Sequence, residues 1–165
     1  MRKLLLAVCV VLCSAFLAVP PAHAAPPKLP PGKSKHVCDT PAAGFARCHA
    51  KIRTDDNLNP LATSGPSGYK PADLRNAYGI SAAGTGKTIA IVVAYGYANA
   101  ETDLATYRAQ FGLPSCTTAD GCFRKLNQAG QPSPLPADNI LWSQETALDL
   151  DMASAICPTC KLLLI

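Results

Sequence analysis

The sequence predicts an α/β protein in which a parallel sheet is flanked by helices. Two hydrophobic runs, TIAIVVA at 88–94 and KLLLI at 161–165, have the unbroken pattern of strands buried on both faces. Two segments with helical spacing lie between them. This strand–helix–strand order favours parallel strands joined by right-handed crossovers. The alternation begins near Tyr69, so we assign residues 69–165 to one domain.

The first helix of this domain is predicted to begin at Asn99 and to end before Gly112. Asn99 can cap a first turn, and the acidic residues at 101 and 103 suit the positive end of the helix dipole. Gly112 and Pro114 are typical of the end of a helix. The apolar stripe has helical spacing and consists of Leu104, Tyr107 and Phe111.

Two short strands and a second helix complete the predicted order. The strands are expected at 123–126 and 139–142. The second helix is expected at 144–156, with Ser143 as its cap and Pro158 after its end. Three apolar residues spaced by four lie on one face of this helix: Leu148, Met152 and Ile156.

Two helices are too few to cover both faces of a parallel sheet. The last apolar strand also reaches the final residue, Ile165. We therefore expect residues 69–165 to be the N-terminal part of a larger domain, truncated after the strand at 161–165. The alternative is a small sheet with an exposed, adhesive edge.

Residues 1–24 have the parts of a secretory signal peptide. Two basic residues precede an apolar run of 16 residues, and a small-x-small cleavage site ends at Ala24. A membrane span needs about 20 apolar residues, so this run is too short to be one. We expect cleavage after Ala24, a secreted protein and no membrane anchor in the mature chain.

The charge of the mature chain is close to neutral. Without residues 1–24, 13 Lys and Arg residues stand against 11 Asp and Glu residues. Electrostatic binding to nucleic acid or to an anionic membrane is therefore disfavoured.

Residues 25–68 form a Pro-rich, cysteine-containing arm and linker. Residues 25–32 are rich in proline and are expected to be extended. The segment PLATSGPSG at 60–68 indicates a linker or a cluster of turns.

Six cysteines follow the signal peptide, and an even number in a secreted chain indicates disulfides. A zinc site is disfavoured because the spacings of common zinc motifs are missing. The close spacing favours three local pairs: Cys38 with Cys48, Cys116 with Cys122, and Cys157 with Cys160.

Two further motifs have ordinary structural interpretations. The pair Cys157 and Cys160 resembles a thiol–disulfide exchange motif, but it follows a helix, whereas reactive cysteines of this motif lie at a helix N-terminus, where the dipole lowers the thiol pKa. The segment 84–88 (GTGKT) resembles the end of a phosphate-binding loop. However, the first glycine of that motif is replaced by Ser81, and a strand follows instead of a helix. We expect a structural disulfide and a tight turn.

Glu145 and Asp149 form the sharpest candidate site. Four residues apart on a helix, they lie on one face, where two like charges oppose each other unless one is protonated or both serve a third group. Such a pair can activate a serine without histidine, with Glu as the base and Asp supporting it. The alternative is a solvated acidic helix start. Asp151 points to another face and is expected to be structural.

Four segments together resemble the start of the catalytic domain of the sedolisins, which are secreted serine-carboxyl peptidases with a subtilisin-like α/β fold. The family's Glu–Asp pair lies in an ExxLD helix segment, which matches Glu145 and Asp149. The resemblance implies that Glu145 is the general base and that Asp149 supports it through a hydrogen bond. The segments are YKPADLRNAYGI (69–80), GKTIAIVVAYGY (86–97), DLATYRAQFGLP (103–114) and WSQETALDLDMASAICPTCKLLLI (142–165).

The resemblance also implies parts that residues 1–165 lack. The family's nucleophilic serine lies in a GTSxS-type motif near the end of the domain, and no such motif occurs here. The family's oxyanion-hole Asp lies between the Glu–Asp pair and the nucleophilic serine, and the family's calcium loop follows that serine. We therefore expect no cofactor or metal in this chain, calcium only in a complete domain, and no peptidase activity from residues 25–165 alone. A complete enzyme would hydrolyse peptide or protein substrates.

Two other functions stay open at this point. The chain can be a catalytically inactive, secreted interaction module of the same family, held by a partner chain that completes the sheet. It can also be a thiol–disulfide protein that uses Cys157 and Cys160.

Overall fold

The structure, a computed structural model, describes residues 32–61, 68–81 and 84–165. The predicted signal peptide at 1–24 lies outside these residues, as do the start of the arm and most of the predicted linker. The elements in chain order are β1 (Lys33–His36), β2 (Lys51–Thr54), α1 (Pro71–Ala77), β3 (Thr88–Ile91), α2 (Ala100–Gln110), β4 (Phe123–Lys125), α3 (Ile140–Ile156) and β5 (Lys161–Leu164).

The domain is mixed α/β, and the predicted parallel sheet is confirmed. Strands β3, β5 and β4 lie side by side in that order, and both pairings are parallel. Leu162 of β5 lies between Ile89 of β3 and Phe123 of β4. The apolar KLLL sequence suits the middle position of β5, because a central strand has neighbours on both sides.

Helices α2 and α3 pack on one face of this sheet. Leu104 of α2 and Leu150 of α3, each 1% exposed, belong to the same hydrophobic core as Leu162. The other face of β3 is open, since Ala90 is exposed and Val92 is 74% exposed. Strand β3 is therefore an edge strand with one buried face. The prediction that it is buried on both faces is wrong, because the described helices that join the core pack on the opposite face.

Helix α3 begins earlier than predicted, and the strand expected at 139–142 does not form. Asn139 caps the helix: its side-chain oxygen accepts hydrogen bonds from the backbone N–H groups of Leu141 and Trp142 at 3.0 and 3.1 Å. These bonds satisfy two N–H groups that a first helical turn leaves without a partner. Ser143 is not the cap; it lies inside the helix, and its hydroxyl donates to the carbonyl oxygen of Asn139.

The face of α3 with Leu148, Met152 and Ile156 is not the one that packs on the sheet. Leu148 is 44% exposed, and the other two line a groove shared with α1. Smaller side chains on the sheet-facing side let the helix approach its neighbours closely. The buried residues of α3 are Ser143, Thr146, Leu150, Ser154 and Ala155.

One helix and one hairpin were not predicted. Helix α1 begins at Pro71, whose ring suits a first helical position, and Asp73 accepts a hydrogen bond from the backbone N–H of Lys70 at 2.9 Å. Strands β1 and β2 form an antiparallel hairpin within the arm. Both elements are short, and short segments give weak periodic patterns.

All three predicted disulfides form, namely Cys38–Cys48, Cys116–Cys122 and Cys157–Cys160. Among the described residues, no helix combines the length and the apolar character needed to cross a bilayer.

Candidate active site

Glu145 and Asp149 lie on one face of α3, one turn apart, as their spacing predicts. Both residues are partly buried. Because the cap at Asn139 starts the helix at Ile140, Glu145 lies in the second turn. The structure therefore presents the two carboxyl groups as neighbours on a fixed helical surface.

The arm packs against this surface. The backbone N–H of Ala50 donates a hydrogen bond to Oε2 of Glu145. The Cys38–Cys48 disulfide and Ala50 form a small hydrophobic cluster with Leu141 and Trp142 of α3. The arm is thus part of the surroundings of Glu145, which its sequence alone did not indicate.

Asp149 holds its proton more tightly than an ordinary aspartic acid. Partial burial raises the pKa of its carboxyl group, and the negative charge of Glu145 raises it further. If the two carboxyl groups share one proton, burial and the charge of Glu145 both favour Asp149 as the protonated group.

A second carboxylate neighbourhood lies on another face of α3. Burial and the charge of Asp103 on α2 raise the pKa of Asp151 to about 7. Burial and the charge of Asp151 also raise the pKa of Tyr107 on α2. Asp151 does lie on a different face from Glu145, as predicted. Its electrostatic interaction with Asp103 depends on the packing of α2 against α3, which the spacing of residues in the sequence does not indicate.

A cavity of about 520 Å³ lies between the arm and the loop that follows β3. Tyr95 and Trp142 both line it, with their ring centroids 6.4 Å apart. Tyr95 has a φ of 65°, which is rare for a bulky residue and often marks a functional position. The cavity lies beyond the carboxyl end of β3, the side where α/β sheets usually bind ligands.

The two buried serines of α3 are engaged in other hydrogen bonds. Ser143 donates to Asn139, and Ser154 accepts from the guanidinium of Arg108 at 3.0 Å. Neither bond involves Glu145, so the structure gives these serines a structural role.

The Cys157–Cys160 pair is a buried disulfide. Cys157 is 9% exposed and Cys160 is 4% exposed. The Sγ atom of Cys160 lies 3.4 Å from the carbonyl oxygen of Gly84. Gly84 begins a tight turn, in which the N–H of Lys87 donates to the Gly84 carbonyl at 3.0 Å, and β3 follows. The predicted turn at 84–88 is therefore present.

In residues 32–61, 68–81 and 84–165, no three His, Cys, Asp or Glu side chains are grouped so that they could hold a metal ion.

Comparison with known proteins gave no match to a family model, to a curated protein or to a solved structure.

Proposed function

We propose that this chain supplies the carboxylate pair of a secreted serine-carboxyl peptidase of the sedolisin type. The resemblance of residues 69–165 to that family supports the proposal, and with it a subtilisin-like arrangement of the complete domain. The observation that carries it is the placement of Glu145 and Asp149 on one partly buried face of α3, where the pKa of Asp149 is raised by burial and by Glu145.

In the proposed reaction, Glu145 takes the proton of a serine hydroxyl while the serine oxygen attacks the peptide carbonyl carbon. The proton then passes to the departing amine as the C–N bond breaks. Water hydrolyses the resulting ester with Glu145 again as the base. Asp149 supports Glu145 through a hydrogen bond between the two carboxyl groups. The proposal places the nucleophilic serine and the oxyanion donor on polypeptide beyond residue 165.

The direct test begins with the DNA that follows codon 165. We expect an open frame that encodes a GTSxS segment, and we expect the continuous polypeptide to hydrolyse a denatured protein substrate. Residues 25–165 alone should be inactive, because losing the nucleophile of a catalytic triad lowers turnover by on the order of a millionfold.

Substitutions then test the assigned roles. Glu145→Gln and Asp149→Asn should each lower kcat of the longer polypeptide, by about 100- to 10,000-fold for the base. Gln144→Ala, which removes an exposed polar side chain on the same helix and adds no charge, is the matched control and should leave kcat unchanged. Full activity in Glu145→Gln, or peptidase activity from residues 25–165 alone, would show that the site assignment is wrong.

An inactive interaction module is the second candidate, and the open face of β3 favours it. Val92, directly after the edge strand β3, is 74% exposed, so a partner chain could cover this face and complete the sheet. Under this candidate Val92→Lys should abolish binding of the partner, whereas Glu145→Gln should have no effect. The serine-carboxyl proposal predicts the opposite result in an activity assay: Glu145→Gln should lower peptidase activity, and Val92→Lys should have no effect on it.

A thiol–disulfide function is less well supported. Both sulfur atoms belong to buried residues packed against Gly84, which leaves an exchange partner little access. Insulin reduction that disappears in Cys157→Ser would nevertheless favour it over the peptidase proposal.

A further inference from the structure

A backbone group of the arm forms a hydrogen bond to a side chain of α3. Ala50, 5% exposed, donates its N–H to Oε2 of Glu145, a residue 95 positions later in the chain. Hydrogen bonds between an N–H donor and an ionised carboxylate are about twice as strong as neutral ones. A contact of this kind therefore restricts the rotation of the Glu145 side chain.

The donor is held in place from several sides. The carbonyl oxygen of Ala50 accepts a hydrogen bond from Val37 at 3.0 Å, next to the Cys38–Cys48 disulfide. The guanidinium of Arg47 donates twice to the carbonyl oxygen of Cys38, at 3.2 and 3.0 Å. The loop that precedes Ala50 is thus closed both by a covalent bond and by hydrogen bonds.

The same loop is anchored on the helix that carries Glu145. Cys38, Cys48 and Ala50 pack against Leu141 and Trp142, which lie one turn before Glu145. Trp142 and Glu145 are three residues apart, so they share a side of α3. The donor and its acceptor are therefore fixed relative to each other by the packing of the arm on α3.

We infer that the Ala50 N–H is a positioning group for Glu145, so that the disulfide-closed arm is a working part of the carboxylate site. A general base must point its carboxylate at the proton it removes, and small losses of orientation lower the rate strongly. One N–H occupies one of about four acceptor positions of a carboxylate, so Glu145 keeps room to accept a proton. The catalytic meaning of this inference rests on the proposed function, whereas the contact can be tested without activity.

The first test uses NMR spectroscopy on the secreted chain. The amide proton of Ala50 should move when the pH is lowered and the carboxylate of Glu145 is protonated. In Glu145→Gln this movement should disappear, although His49 beside Ala50 and Asp149 on α3 are still present in that variant. In Glu145→Ala the exchange of the Ala50 amide with solvent should be about tenfold faster or more. An Ala50 signal that behaves identically in all three proteins would overturn the inference.

The second test removes the donor. Ala50→Pro lacks the N–H, and Ala50→Gly, the matched control, keeps it. Side-chain couplings should report one χ1 rotamer for Glu145 in the wild type and in Ala50→Gly, and rotamer averaging in Ala50→Pro. If Ala50→Pro does not fold, the Cys38→Ser, Cys48→Ser double variant loosens the same donor and should give the same averaging. A single Glu145 rotamer in a folded variant without the fixed donor contradicts a positioning role.

The kinetic readout separates this inference from the proposed function. In the longer polypeptide, Ala50→Pro should lower kcat about tenfold with little change in KM, while Ala50→Gly, which keeps the N–H but loses a buried methyl group, should lower kcat less than Ala50→Pro does. A rise in kcat would show that the arm blocks Glu145 and would overturn the positioning role. An enzyme indifferent to Glu145→Gln would defeat the proposed function, while the NMR result on Ala50 would stand or fall independently.

Discussion

The guanidinium of Arg108 on α2 donates a 3.0 Å hydrogen bond to the hydroxyl oxygen of Ser154 on α3. Arg108 is 1% exposed and Ser154 is fully buried. The same guanidinium donates to the carbonyl oxygens of Pro114 and Pro158, at 2.5 and 2.6 Å. One buried side chain therefore connects α2, α3 and the two segments that follow these helices. Burial lowers the pKa of Arg108, so its hydrogen bonds compensate for lost hydration.

We predict that Arg108→Ala destabilises the protein by about 2–4 kcal/mol, because it removes the donor from two buried acceptors and one part-buried acceptor and opens a cavity. Ser154→Ala removes one of the three partners and should cost about 1 kcal/mol. Arg108→Lys should stay close to Arg108→Ala, since an ammonium cannot reproduce the planar fork. Chemical denaturation of the three variants checks the order. Equal stabilities of Arg108→Ala and the wild type would contradict this role.

Asp151 should make the folded state less stable as the pH rises. Its pKa is raised from 3.8 to about 7 in the folded protein, so the folded state binds the proton more tightly than the unfolded state. Stability contributed by the protonated form is complete below about pH 4 and is lost as the pH rises to about 7. Because Asp151 is partly exposed, we expect a loss of about 1–2 kcal/mol.

Substitution of Asp151 and its neighbours isolates this effect. Besides burial, the charge of Asp103 on α2 raises the pKa of Asp151. Asp151→Asn should remove most of the pH dependence between pH 4 and 7, and Asp103→Asn should reduce it. Thermal unfolding at several pH values measures the difference. A wild type and an Asp151→Asn variant with parallel pH profiles would contradict the prediction.

Asp149 should respond directly to the charge of Glu145. Burial and Glu145 both raise its pKa, so Glu145→Gln should lower the pKa of Asp149 towards its ordinary value without reaching it. The remaining shift reflects burial alone. A side-chain carboxyl titration by NMR in the two proteins checks the direction. An unchanged or higher Asp149 pKa in Glu145→Gln would show that the two carboxyl groups do not interact.

The sequence predicted the elements whose signal is local. The apolar run of β5, the close spacing of the cysteines and the one-turn separation of Glu145 and Asp149 each depend on residues near one another in the chain. Asn139 shows the limit of this reasoning, because ILW after it is compatible with a strand. The hydrogen bonds of the Asn139 side chain decide in favour of a helix.

The features that were missed depend on packing between distant segments. The Ala50–Glu145 bond joins an arm hairpin to a helix 95 residues away, and no periodicity records it. The raised pKa of Asp151 needs Asp103 on a neighbouring helix. The open face of β3 follows from where the helices pack, which hydrophobic runs alone do not reveal.

The turn before β3 offers a matched pair of glycines. A Cβ on Gly84 would lie 2.2 Å from Sγ of Cys157, and its φ of 67° already disfavours other residues. Gly86 has a φ of 79°, but a Cβ there meets nothing within 4 Å. We predict that Gly86→Ala lowers the free energy of unfolding by about 1 kcal/mol, because alanine disfavours a positive φ. Gly84→Ala should lower it by at least about 2 kcal/mol more, because the disulfide must also move.

The chemistry of the disulfide checks the same point independently of stability. In Gly84→Ala the displaced Cys157–Cys160 bond should be more accessible and should be reduced faster by dithiothreitol. Gly86→Ala should be reduced at the wild-type rate, since its Cβ lies in open space. Urea denaturation together with the reduction rates of the three proteins provides both measurements. Equal effects of the two substitutions would mean that backbone conformation alone requires glycine here, and that the turn does not hold the disulfide in place.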